Sequence, residues 1–232
     1  MDKTLCVVGA GRMGIGITLS YIHAGLPVTL IDIKPRERGE QAEYFARVLG
    51  DLRRELATLT RLGLLDAAQA DIALGRVRLT TRDDARADLA HARVVFEAVP
   101  ERLDVKRDTF AWLGRACAPD SVIASTTSTF LVTELAALVH APGRFLNAHW
   151  LNPAYLIPLV EVSRGPQTAD AALQDLLAVL RLAGKTPVQC APAAGYIVPR
   201  IQALAMNEAA RMVEEGVASA EDIDTACLLY TS

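Results

Sequence analysis

Short runs of apolar, β-branched residues alternate along this chain with longer stretches whose apolar positions recur every three or four residues. Leu5-Cys6-Val7-Val8 predicts a buried strand, Met13 to His23 a helix, and Val28-Thr29-Leu30-Ile31 a second strand. A long helical stretch runs from about Arg36 to Leu62. Val94-Val95-Phe96 and Val122-Ile123-Ala124 are further strand segments, separated by a helix from about Asp104 to Cys117. Phe145 to Ala148 and Leu159 to Val162 add two more strands, followed by an amphipathic helix from Ala169 to Ala183 and a short Pro187-Val188-Gln189 strand. The strands are continuously apolar rather than alternating. Together with the βαβα order, this predicts an α/β fold with a doubly wound, mostly parallel sheet covered by helices on both faces.

After Cys190 the pattern changes. Ala191-Pro192-Ala193-Ala194-Gly195 is a loop of small residues, and the chain beyond it has only helical periodicity. Ile201 to Glu215 is the clearest helix, with Gly216 placed to cap its C-terminus. Ser219 opens another, and Asp222 stands three residues on in a capping-box arrangement. A boundary near Ala191 therefore divides residues 1–190 from the beginning of a helical region at 191–232. That second stretch is too short to bury a core of its own. It must pack on the first domain, pair with another copy, or begin a longer helical domain.

Composition narrows the function classes. The chain has 232 residues, of which 51% are hydrophobic, with a formal net charge of −3. Near-neutral charge gives no electrostatic reason for a nucleic-acid or anionic-membrane partner. No apolar run approaches the roughly 18 residues of a membrane span, and no basic leader precedes the first strand. A cytoplasmic protein is expected. Cys6, Cys117, Cys190 and Cys227 are scattered without a CxxC pair, which predicts buried free thiols and no metal site.

Gly9-Ala10-Gly11-Arg12-Met13-Gly14 follows a strand and opens a helix. In that context Gly9 makes the tight turn, Gly11 lets backbone approach a pyrophosphate, and Gly14 lets the helix pack on the sheet. The helix N-terminus offers N–H groups and its positive dipole end to the phosphates. Asp32 ends the second strand, where a carboxylate accepts bonds from both ribose hydroxyls and repels a 2′-phosphate. A Rossmann-type domain binding NAD is expected, with Gly9, Gly11, Met13, Gly14 and Asp32 at the cofactor. A structural strand–helix turn, or a helix cap at Asp32, is the plainer alternative. Lys34, Arg36 and Arg38 form a solvated helix start or a residual contact to NADP.

Three later segments narrow the family. Ser125-Thr126-Thr127-Ser128, His149-Trp150-Leu151-Asn152-Pro153 and Leu159-Val160-Glu161-Val162 occur in this order. From about Thr4 to Ala226 the chain resembles the 3-hydroxyacyl-CoA dehydrogenase family, which carries S-N-T-S-S, H-x-x-N-P and L-V-E-V segments. Oxidising a secondary alcohol with NAD requires a base for the hydroxyl proton. Of the four histidines, only His149 lies just past a strand with polar residues around it. The resemblance makes His149 the base and Glu161 its partner, a carboxylate that fixes the imidazole tautomer. It makes Ser128 the hydrogen-bond partner of the reacting oxygen, and Asn152 a neighbour of nicotinamide and substrate. It also places Glu101 and Lys106 beside the cofactor. A core histidine, a helix cap at Ser128, an Asn-Pro turn and a solvated Lys106 are the respective structural alternatives.

The sequence also departs from that family. Pro199 stands where relatives carry an active-site asparagine, although proline suits a first helical turn. Pro158, with Tyr155 upstream, replaces a lysine of the thioester-oxidising members and is more similar to the lambda-crystallin/L-gulonate and carnitine dehydrogenases. Arg47, Arg53 and Arg54 on the long helix either meet a CoA phosphate or pair with acidic neighbours. The tail Cys227 to Ser232 does not match, which suggests a truncated helical domain. Where that domain is complete, the resemblance implies a homodimer. The expected activity is NAD-linked interconversion of an L-3-hydroxyacyl-CoA and its 3-oxo form, as in fatty acid metabolism. The alternatives are the same chemistry on a free 3-hydroxy acid, a non-catalytic dinucleotide-binding protein, and an imine- or amine-forming reductase.

Overall fold

The structure is a computed structural model and describes residues 4–231, with side chains through 228. The described residues divide into two compact units after Pro192. In the first, β1 (Thr4–Val8), α1 (Arg12–His23), β2 (Val28–Asp32), α2 (Arg38–Arg61), α3 (Ala67–Leu74) and β3 (Val77–Thr81) come first along the chain. They are followed by α4 (Arg86–Ala90), β4 (Ala92–Glu97), α5 (Leu103–Ala116), β5 (Val122–Ser125) and α6 (Val132–Ala136). The unit closes with β6 (Phe145–Trp150), β7 (Leu159–Arg164), α7 (Asp170–Leu182) and β8 (Thr186–Cys190).

All eight strands form one sheet in the order β3-β2-β1-β4-β5-β6-β7-β8. Successive connections run outward to opposite sides from the β1–β4 pair, so the carboxyl ends of β1 and β4 form a topological switch point. Open α/β sheets bind ligands in the crevice there. Every strand pair is parallel except β6–β7. Residues 151–158 are too few for a crossover, which takes a dozen or more, so the chain turns straight back.

The continuous apolar strands bury both faces. Val7, Leu30, Phe96 and Trp150 enter a cluster with Ile17 of α1, Leu52 of α2 and Leu176 of α7. Their sequence neighbours Val8, Ile31 and Val95 point the other way, against Phe110 and Leu113 of α5 and Leu135 of α6, as the twofold alternation of a strand requires. The segment β3 escapes the apolar-run criterion because it is an edge strand. Val-Arg-Leu-Thr-Thr is mostly half-buried and pairs on one side only. The short helices α3, α4 and α6 likewise lack the length that makes periodicity visible.

The second unit contains α8 (Val198–Glu214) and α9 (Ala220–Thr231). Pro199 lies in the first turn of α8, where its missing N–H costs no helical bond. Gly216, at φ +73°, ends the helix. Its N–H donates to the Val213 carbonyl, and that of Val217 to Met212, at 3.1 and 2.9 Å. The Ser219 hydroxyl accepts from the Asp222 N–H at 3.1 Å at the start of α9. Ser232, the last residue of the tail expected to depart from the family, lies outside the described residues. No described helix is long and apolar enough to cross a membrane. The thiols differ from the expectation of uniform burial: Cys6 is buried, Cys117 and Cys190 are half-buried, and Cys227 is exposed.

Candidate active site

The glycine loop separates three steric roles. Gly9 has φ +107°, and a Cβ there would lie 2.5 Å from the Ala98 carbonyl oxygen. A Cβ on Gly14 would come within 1.8 Å of the Gly9 oxygen, so helix and turn close together only without one. At Gly11 a Cβ would meet nothing within 4 Å. The loop is therefore tight where it folds and open where a phosphate would approach. α1 starts without a side-chain cap or an acidic residue in its first turn, leaving its N-terminus to an anion. Met13 is half-buried against the core. These residues fit a dinucleotide pyrophosphate.

Asp32 closes β2 and does not cap α2, whose N-cap is Glu37. Its carboxylate accepts from the Arg36 Nε at 2.8 Å, the Gln41 amide at 3.2 Å and the Lys34 N–H at 3.2 Å. The Arg36 guanidinium also lies 3.8 Å over the Tyr44 ring, and the Tyr44 hydroxyl donates to the Ala10 carbonyl in the glycine loop. Asp32 thus stands in its own polar cluster at the adenosine end of the expected cofactor site.

His149 and Glu161 are brought together by strand register. They are directly opposite in the antiparallel β6–β7 pair, where facing side chains are within contact range. The His149 Nδ1 lies 2.8 Å from the Glu161 Oε2, and both side chains are buried. The carboxylate orients the ring through Nδ1.

Ser128 is held by its backbone. Glu101 Oε1 accepts from the Ser128 N–H at 3.1 Å, the Thr129 N–H at 3.2 Å, the Thr129 hydroxyl at 2.8 Å and the Thr127 hydroxyl. Burial pushes the Glu101 carboxyl up, but the Thr127 bond, the Lys106 ammonium and the Thr129 bond outweigh it and hold its pKa below the usual value. Lys106 is not on a solvated helix face. Its ammonium is fully buried and lies within 3.1 Å of Glu101 and 2.9 Å of Glu97.

Asn152 lines a cleft of about 360 Å³ with Gly11, Arg12, Arg54, Glu55 and Tyr155. The loop carrying it is pinned by the Lys185 ammonium, which donates to the Ala154 and Ile157 carbonyls at 2.7 and 3.1 Å. The Ser20 hydroxyl donates to the same Ala154 oxygen at 3.1 Å. Burial holds the Lys185 pKa down to about 8. In the cleft wall the Tyr155 hydroxyl donates to Glu55, and burial, then this carboxylate, push the phenol up to about 12. The three helix arginines diverge. Arg54 pairs with Asp51 at 2.5 Å, Arg47 lies 5.4 Å over Tyr44, and Arg53 borders a separate depression beside Leu56 and Leu74.

Glu97, Glu55 and Lys185 were not singled out from sequence. Glu97 carried a usable signal, because a carboxylate ending a wholly buried strand must find a cation or several donors. Lys185 gives none, since its partners are backbone carbonyls remote in sequence.

Comparison with known proteins follows the same boundaries. The family model described as the 3-hydroxyacyl-CoA dehydrogenase NAD binding domain matches residues 4–193, and that described as the C-terminal domain matches 195–231. The chain is 36% identical to a probable 3-hydroxybutyryl-CoA dehydrogenase of Deinococcus radiodurans, across 94% of this chain and 74% of that protein. It is 38% identical to an L-carnitine dehydrogenase of Streptomyces coelicolor, across 96% of this chain and 66% of that protein. Among solved structures, the (S)-3-hydroxybutyryl-CoA dehydrogenase of Ralstonia eutropha superposes with a TM-score of 0.80 at 32% identity, covering 95% of this chain and 74% of that one.

Proposed function

This chain belongs to the 3-hydroxyacyl-CoA dehydrogenase family of NAD-dependent enzymes, and we propose that it oxidises the 3-hydroxyl of its substrate with His149 as general base. The observation that carries the reading is the buried His149–Glu161 pair at the carboxyl end of β6. NAD, when bound, would supply the hydride acceptor for oxidation of the carbinol carbon to a carbonyl. The glycine loop and Asp32 would hold its pyrophosphate and ribose. His149 removes the hydroxyl proton through Nε2, and Glu161 holds the ring in the required tautomer and stabilises the imidazolium that forms. Ser128 donates a hydrogen bond to the reacting oxygen, and Asn152 anchors substrate beside it. In the reverse direction the same imidazolium returns the proton. An organised acid–base pair of this kind supports an alcohol dehydrogenase over a non-catalytic dinucleotide binder.

The proposed substrate is an L-3-hydroxyacyl-CoA, in keeping with the names of most of the relatives. A free 3-hydroxy acid is the second reading, and the cleft favours it. Glu55 and Asp51 stand in that wall, Arg54 is already paired, and Arg47 and Arg53 turn elsewhere, so α2 presents no converging arginines to CoA phosphates. The relative named for L-carnitine acts on such an acid.

Turnover of 3-hydroxybutyryl-CoA, free 3-hydroxybutyrate and carnitine, each with NAD and with NADP, separates the two readings. His149→Ala is expected to lower kcat by roughly 10²- to 10⁴-fold, the usual contribution of a positioned base, with NADH affinity retained. Normal kcat in that variant would remove His149 from the mechanism.

A further inference from the structure

Beneath the Ser128 turn lies a charge cluster that takes no direct part in the chemistry proposed above. Glu97 is the last residue of β4 and is completely buried. Its carboxylate accepts from the Val99 N–H at 2.9 Å, from the Ser125 hydroxyl at 2.5 Å, and from the Lys106 ammonium at 3.0 and 2.9 Å. A buried carboxylate with this many donors is fixed in place, and so are its partners.

Two routes lead from it to the same turn. In the longer one, Lys106 on α5 bridges Glu97 to Glu101, 3.1 Å from the Glu101 Oε2. The other oxygen of Glu101 then collects the bonds from residues 127–129. In the shorter one, Ser125 is the register partner of Glu97 across β4–β5. Its hydroxyl donates to Glu97 and its oxygen accepts from the Thr127 N–H at 3.4 Å. The Thr127 hydroxyl oxygen in turn accepts from the Thr129 and Phe130 N–H groups at 3.3 and 3.0 Å, closing the turn on itself.

We infer that Glu97 is a positioning residue for the active-site turn Thr127–Thr129, acting through Lys106–Glu101 on one side and Ser125 on the other. The physical need is clear from the ends of the chain of contacts. Ser128 is exposed and sits in a short turn, so nothing in its own burial fixes it. Glu101 is itself partly exposed, and the Lys106 ammonium ties its second oxygen to the interior of the unit. Glu97 is the fully buried carboxylate against which the Lys106 ammonium is held, and Glu101 is its second partner. Positional order thus passes from the interior of the sheet to the rim of the crevice. The inference rests on Ser128 serving the reacting oxygen.

The test separates charge, fold and placement. In Glu97→Leu/Lys106→Met the whole buried pair is replaced by apolar side chains of similar size, a change that generally preserves folding. Glu97→Gln removes the charge alone. For both, turnover of whichever substrate wild type oxidises is measured beside NADH affinity and amide hydrogen exchange. We expect kcat to fall at least tenfold in both, and in Glu97→Gln NADH affinity should change by less than about threefold, because the glycine loop, Asp32, Glu101 and Lys106 all keep their side chains. The Ser128 and Thr129 amides should exchange faster, while those of β4 and β5 keep their protection. Ser125→Ala, which cuts only the shorter route, should show a smaller version of both effects.

A folded double variant with wild-type kcat and wild-type exchange at Ser128 and Thr129 would overturn the inference and leave Glu97 a merely structural group. Faster exchange at the turn with unchanged kcat would keep Glu97 as its anchor and instead overturn the role given to Ser128. If the double variant fails to fold, Glu97→Gln and Ser125→Ala decide by the same two readouts.

Discussion

Two carboxylates stand at carboxyl ends of strands on opposite sides of the switch point, and each is bonded to a cation. Asp32, at the end of β2, meets Arg36 four residues later, with the neighbouring Gln41 and the Lys34 N–H as further donors. Glu97, at the end of β4, meets Lys106 from the next helix, and both side chains are sealed, at 0% and 1% exposure. The Asp32 pair is local in sequence, and its cation keeps one flank toward solvent. The Glu97 pair joins two elements and has no solvent to fall back on. In a sealed pair the loss of one partner leaves an uncompensated charge, whereas Asp32, though buried, keeps the Gln41 amide and the Lys34 N–H when Arg36 is lost. Asp32 therefore suits a role that requires exchange of partners with a ligand, and Glu97 one that requires permanence.

The contrast can be broken at either end. The largest effect is expected from Lys106→Met alone, which strands the Glu97 charge in the core. We expect a loss of about 3–5 kcal/mol in unfolding free energy, measured by urea or thermal unfolding. Wild-type stability would show that the Glu97 charge is not compensated by Lys106. Asp32→Ala should spare the fold but weaken NAD binding by about 1.5–3 kcal/mol, the range of hydrogen bonds to a charged group, and narrow the preference over NADP. The ratio of kcat/KM for the two cofactors reports this, and an unchanged ratio would take Asp32 out of ribose recognition. Arg36→Ala should cost least, on the order of 1 kcal/mol of stability, because Gln41 and the Lys34 N–H still satisfy Asp32. A loss as large as that of Lys106→Met would erase the distinction between the two pairs.

The cofactor end was legible in the sequence because its determinants are local. Gly9, Gly11, Gly14 and Asp32 lie within one βαβ unit; Gly9 and Gly14 answer steric demands set by their immediate neighbours, and Asp32 meets donors a few residues away. Much of the sheet was legible for the same reason, since a strand buried on both faces is a continuous apolar run wherever it occurs. β3 was missed because an edge strand has no such obligation. His149 and Glu161 were paired through the family resemblance, and the geometry supplies the physical cause in the β6–β7 register. The Glu97–Lys106–Glu101 cluster was only half visible. Glu101 and Lys106 were noted as neighbours of the cofactor, and the carboxylate beneath them was not.

By itself, the sequence determined the alternation of strands and helices, the glycine turn, and the chemical identity of the groups available for catalysis, because burial periodicity and backbone sterics act over a few residues. Only the tertiary structure decided that β7 runs antiparallel and so sets Glu161 opposite His149. It alone decided that the helix arginines diverge and that Lys106 points inward to Glu97. Those outcomes depend on register and on charges meeting across elements far apart in the chain. No local pattern carries that information, because a buried charge gives no sign of its partner until the fold brings the two together.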